Sequence, residues 1–195
     1  MEFSAANRQA LIHLAADIIR FRLAGPLGGV PVPQFPGVQE PVYQQLAGCF
    51  TTLHDRFTHE LRGCVGRLDA SVPVWIAVRD SANSCLSDPR FAGRPVTTAE
   101  IPRLELELSV LSPLSPRGNP LEFDPAREGI YLTIAGRSGC FLPQVARETG
   151  WTREQLLDRL CTEKIGMPAG AWRMGAAMLS IFTAEILGPS PLATA

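Results

Sequence analysis

Neither sign of charge dominates this chain: 18 basic residues stand against 19 acidic ones in 195, for a formal net charge of −1. That balance supplies no electrostatic grip on a phosphate backbone or an anionic bilayer, so neither nucleic acid nor a membrane surface is an expected partner. Histidine is scarce, with only His13, His54 and His59. The five cysteines, Cys49, Cys64, Cys85, Cys140 and Cys161, are odd in number and form no Cys-x-x-Cys. A disulfide framework and a structural zinc site are therefore disfavoured, and neither a metal nor another cofactor is expected. The N-terminus has no basic segment followed by an apolar core, and no apolar run reaches membrane-spanning length. These absences lead to the expectation of a soluble, cytoplasmic protein. What is present, 46% hydrophobic and 19% charged residues, is an ordinary globular composition.

The chain is organised around Leu61-Arg62-Gly63-Cys64-Val65-Gly66. Residues 48–53 favour a pleated surface and 54–60 are polar. This predicts a β-hairpin with His54 and His59 in its loop and Arg62 and Cys64 on the return strand. Two residues apart, Arg62 and Cys64 are expected on one face, with Gly63 giving room on the other for a backbone or a ligand.

Around this hairpin, Ser4 can cap a helix reaching about Leu23, with Leu11, Leu14, Ala15, Ile18 and Ile19 on one face. Residues 25–41 are dense in Gly and Pro and read as an irregular loop or flap. Asp69 and Ser71 offer caps, and Pro73 a first turn, to a helix carrying Val74, Ala77, Val78, Ala82, Cys85 and Leu86 on its apolar face. Thr97 and Glu100 have capping-box spacing. From 104 to 110 apolar residues alternate with Glu105, Glu107 and Ser109, a half-solvated strand with its carboxylates in water. Ile130, Leu132 and Ile134 form another strand, and Gly136-Arg137-Ser138-Gly139 a turn. Thr152 and Gln155 open a helix bearing Leu156, Leu157, Leu160 and Cys161, stopped by Gly166. A last strand, 178–187, is expected to bury Met178, Phe182, Ala184 and Ile186. Hairpin, helix and strand thus occur twice, with Cys64 to Cys85 and Cys140 to Cys161 equally spaced, which suggests an internal repeat. The fold class is α+β: two lobes of mainly antiparallel β-hairpins with packed helices, about 1–115 and 116–195 of a single domain over 1–195.

Five blocks carry a resemblance. Leu61-Arg62-Gly63-Cys64-Val65-Gly66, Asp88-Pro89-Arg90-Phe91, Glu107-Leu108-Ser109-Val110-Leu111-Ser112-Pro113, Gly136 through Val145 and Ile165-Gly166-Met167-Pro168 occur in the order of the AMMECR-type domain. The chain resembles that family over roughly residues 5 to 188. The resemblance implies an α+β fold with a cleft between two lobes near the Arg-Gly-Cys strand. It also implies association, as protein A of the AmmeMemoRadiSam system, with a Memo-like protein and a radical S-adenosylmethionine enzyme. It assigns no reaction, and it leaves the Gly/Pro-rich stretch 25–41 unexplained.

Cys64 is the candidate nucleophile or redox thiol, since Arg62 on its own face could stabilise a thiolate. The bland reading is a core cysteine, a residue type that is usually buried. Arg62 and Gly63 could bind a small anion, or Arg62 could pair with an acid such as Asp88 or Glu60. Arg137 and Ser138 could present a guanidinium and backbone N–H groups to an anion, or serve only as a hairpin turn. The leading reading is a ligand-binding or accessory component of a redox or modification system. The rivals are a thiol-dependent enzyme acting on a small anionic substrate and, against the net charge, a nucleic-acid-binding regulator.

Overall fold

A computed structural model describes residues 2–25 and 34–193. Positions 26–33 of the Gly/Pro-rich stretch lie outside the described residues. The chain divides into two compact units, residues 1–111 with 185–195, and 112–184.

In the first unit, helix α1 (Ala5–Ala24) begins where the Ser4 hydroxyl accepts the Asn7 N–H at 3.2 Å. It buries the apolar face its spacing predicts, Leu11, Leu14, Ala15, Ile18 and Ile19. Strands β1 (Leu46–Asp55), β2 (Leu61–Pro73) and β3 (Leu104–Leu111) form an antiparallel sheet in the order β2-β1-β3. The last strand, β7 (Met178–Pro191), lies beyond β3, and its residues from Glu185 onward belong to this unit. Helix α2 (Val74–Ser84) joins α1 on one face of the sheet, over Leu53, Leu106 and Leu108, which have no exposed surface. Each such leucine contributes roughly 1.5–3 kcal/mol.

Two local expectations give way here. Strand β2 continues to Pro73, because Val72 and Pro73 pair with Ala47 and Leu46 and the Val74 N–H donates to the Gln45 carbonyl. Asp69 and Ser71 are therefore strand residues, and α2 starts without a side-chain cap. Likewise His54 is not in the hairpin loop. It sits in β1 opposite Glu105, and only His59, at φ 58°, belongs to the loop.

The second unit comprises β4 (Ser115–Arg117), β5 (Glu128–Ile134), β6 (Arg137–Phe141), α3 (Pro143–Thr149), α4 (Arg153–Arg159) and the first half of β7. Thr152 and Gln155 form the expected capping box on α4. A wide turn over Leu160–Ile165 follows and ends at Gly166, φ 71°. Helix α3 adds to the expected elements, and Pro143 in its first turn and Gly150 at φ 67° after its end are ordinary signals for it. The β5–β6 turn is Ala135-Gly136, both at positive φ (50° and 78°), so Arg137 and Ser138 are strand residues and not turn residues. The phase of β7 also differs from expectation. Phe182 is buried as expected, but Met178 is exposed, Ala184 and Ile186 are half-buried, and Leu179 and Ile181 are buried instead.

Within each unit a hairpin leads through helix, one in the first and two in the second, to a strand that pairs with the hairpin's first strand, giving β2-β1-β3 and β6-β5-β7. Cys85 and Cys161 are both buried in the turn just after the helix, α2 or α4. The shared connectivity agrees with the repeat suggested by the sequence.

Candidate functional site

The Arg62-Gly63-Cys64 stretch lies on the edge strand of the first unit. An edge exposes unpaired N–H and C=O groups unless something covers them. The Asp88-Pro89-Arg90-Phe91 turn covers this one. Asp88 accepts the Cys64 N–H at 2.9 Å, and the Arg90 guanidinium donates to the Cys64 carbonyl at 3.1 Å. Asp88 also accepts the Arg90 N–H, Nε and Nη2, at 3.1, 3.0 and 2.7 Å. The Arg90 side chain, aided by the Cys64 N–H, holds the buried Asp88 carboxyl well below the usual carboxylate range. Cys64 is thus fixed from its outer side by two oppositely charged residues of one turn.

Gly63 carries a close approach, but to the protein's own backbone. A Cβ there would lie 2.4 Å from the Cys85 carbonyl oxygen. The space that the sequence offers to a ligand on that face is occupied by the turn after α2.

Arg62 differs most from expectation. Between Leu53↔Gly63 and His54↔Leu61 the register slips, so Arg62 is the extra residue of a β-bulge and strand alternation does not carry across it. Its side chain is only 2% exposed and pairs with Glu100, with Nε at 2.9 Å and Nη2 at 2.8 Å, while Nη2 also reaches the Arg94 carbonyl at 3.3 Å. Neither Asp88 nor Glu60 is its acid: Asp88 holds Arg90 and Glu60 holds Arg94. Burial by itself would raise the Glu100 carboxyl, but the Thr97 N–H and hydroxyl together with Arg62 outweigh it and hold the group low. The guanidinium bonds of Arg62 therefore go to this carboxylate and a carbonyl. The sulfur of Cys64 instead accepts from the Thr52 hydroxyl at 3.3 Å.

Thr52 lies opposite Cys64 on one side and Glu107 on the other. With strands about 4.8 Å apart, Cys64 and Glu107 flank the hydroxyl across roughly 10 Å of sheet. His54 and Glu105 are opposite each other two residues further along β1 and β3, and so on the same face. Glu107 is not simply in water. Burial raises its carboxyl, His54 opposes that rise, and Glu105 adds to it. A half-buried row of thiol, hydroxyl and carboxyl can bind a small polar ligand and can exchange protons with it. The sequence missed Thr52, His54 and Glu107 as companions of Cys64, because pairing across strands is not written in local spacing. The strict alternation of β3 was the one available signal.

Arg137 and Ser138 lie in the second unit. Arg137 Nη1 donates to the Gly166 carbonyl at 3.3 Å, which satisfies the end of the turn after α4, and Ser138 is exposed opposite Thr133. Burial raises the other four thiols, Cys49 and Cys85 to about 12, whereas Cys64 is partly exposed. Among the described residues no three His, Cys, Asp or Glu side chains are placed to hold a metal ion, and no helix is long and apolar enough to cross a membrane.

Protein MJ0810 of Methanocaldococcus jannaschii is 35% identical over 182 residues, 90% of this chain and 86% of that one. Protein TV1384 of Thermoplasma volcanium is 30% identical over 180 residues, 89% and 87% of the two chains. The crystal structure of the uncharacterised protein PH0010 from Pyrococcus horikoshii is similar with a TM-score of 0.73 and 33% identity, covering 90% of this chain and 88% of that one. The AMMECR1 family model matches residues 22–187, and with these relatives it shows that the chain belongs to the AMMECR1 family.

Proposed function

We propose that this protein is a cytoplasmic ligand-binding or accessory component of a redox or modification system, with a Memo-like protein and a radical S-adenosylmethionine enzyme as partners. Its working surface is the sheet face that bears Cys64, Thr52 and Glu107. The observation that carries this reading is how Cys64 is held: its backbone is pinned by Asp88 and Arg90, its thiol is partly exposed, and Arg62 is bonded elsewhere. Such a thiol is rigidly presented for recognition, with the Thr52 hydroxyl and the Arg90 guanidinium as its polar neighbours.

The test mixes the purified chain with the two partner proteins and follows sedimentation. A complex is expected that survives Cys64→Ser and weakens when Cys64 is carboxamidomethylated. In the same preparation Cys64 is expected to alkylate faster than Cys85, because burial pushes the Cys85 thiol up to about 12. The absence of a complex, or a complex indifferent to the modification, refutes the reading. The hydrogen bond from Thr52 to the sulfur, with Glu107 alongside, favours a second reading as a thiol enzyme on a small anionic substrate. That reading requires turnover that Cys64→Ser abolishes.

A further inference from the structure

We propose that the groove between α1 and α2 binds a small amphipathic monocarboxylate, its apolar part against Leu14, Ile18 and Phe35 and its carboxylate at Arg22 and Arg79. The groove is a cavity of about 560 Å³, within the usual range for small-molecule sites. Its walls are Leu14, Ile18 and Phe21 of α1, Trp75 of α2, and Phe35 and Val38 from the chain before β1. Phe35 is held in place by rings on two sides, edge-on to Tyr43 at 4.7 Å and stacked on Trp75 at 6.5 Å. Part of the Gly/Pro-rich stretch, which the candidate site leaves without a role, therefore forms one wall of a defined cavity.

Charge selects the ligand. Two guanidinium groups line the groove, and no acid does among the described residues. Arg22, in the last turn of α1, has no ion-pair partner among the described residues. Arg79 pairs with its neighbour Asp80 at the surface, both side chains nearly half exposed, and its guanidinium lies 5.3 Å above the Trp75 ring. An exposed pair of that kind is weak, so Arg79 is free to turn toward a ligand anion. Apolar walls with two guanidinium groups at the rim, one of them without an ion-pair partner among the described residues, favour an amphiphile with one negative head.

Decanoate is the probe, titrated into the full chain by calorimetry and by tryptophan fluorescence. Saturable 1:1 binding is expected. Val38→Trp, which fills the cavity from a surface turn, is expected to abolish it. The double variant Arg22→Gln/Arg79→Gln is expected to weaken decanoate about five- to tenfold while leaving decanol binding unchanged. No saturable binding, binding untouched by Val38→Trp, or equal affinity for decanoate and decanol each overturn the proposal. Self-association that Val38→Trp abolishes, without decanoate binding, assigns the groove to a second copy and also overturns it.

Discussion

Replacing Asp88 by Asn probes the lock that holds Cys64. The wild-type carboxylate accepts four hydrogen bonds, from the Cys64 N–H and from the Arg90 N–H, Nε and Nη2, at 2.7–3.1 Å. Asparagine keeps one oxygen and turns an NH2 toward a remaining donor, so at least one buried N–H loses its acceptor and the charge is lost. The Arg90 side chain is 58% exposed, so its ion pair contributes little, on the order of 0.2–1 kcal/mol. The buried N–H contacts to a charged oxygen carry more, about 1.5–3 kcal/mol. A net loss of about 2–3 kcal/mol corresponds to a fall in Tm of roughly 4–12 °C for a chain of this size. The pH dependence gives a second reading. Asp88 is depressed in the folded state, mainly by Arg90. Its contribution is therefore present above the unfolded carboxylate value of about 4 and is lost as the pH falls through the lower folded value. The variant lacks that contribution, so the gap between the two melting curves by circular dichroism should narrow as the pH falls below about 4. An unchanged Tm, or a gap that stays constant into acid, refutes the lock.

Three further outcomes are expected. Gly63→Ala drives a Cβ to 2.4 Å from the Cys85 oxygen and should cost about 1–3 kcal/mol in denaturant titration, whereas Gly93→Ala, with nothing within 4 Å, should be neutral; equal effects would deny the close approach. Arg62→Met breaks a largely buried ion pair and should destabilise by about 2–4 kcal/mol, and an alkylation rate of Cys64 that changes while stability does not would restore Arg62 as the thiol's cation. Glu107→Gln removes a carboxyl whose folded value burial raises, so the ionised form opposes folding above the unfolded value. This variant should melt higher than wild type near neutral pH and alike near pH 4, and a lower Tm at neutral pH would refute the assignment.

Some of the site was legible and some was not. Cys85 reads as a core thiol from helical spacing alone, and it is buried, because a helix face is determined by residues three and four apart. Ser4 and Thr152 read as caps for the same local reason, and each hydroxyl accepts the backbone N–H three residues on, while the Thr97 hydroxyl donates to the Glu100 carboxylate. Arg62 could not be read so. Alternation places it beside Cys64, but a single bulged residue in the pairing with β1 removes that rule, and Glu100 comes to it from 38 residues away.

By itself the sequence determined the α+β class, the amphipathic faces of α1, α2 and α4, the two hairpins and the order hairpin, helix, strand in each half. All of these rest on contacts between residues near in the chain, where spacing and turn chemistry decide the outcome. Tertiary structure alone decided which strands became neighbours, and so which side chains share a face. Thr52 meets Cys64 and Glu107 only because β1 lies between β2 and β3, and Glu107 is raised only because that face is half buried. Asp88 reaches Cys64 only because the turn after α2 folds back along the edge of β2. Register across strands and burial depend on the whole chain at once, and local sequence records neither.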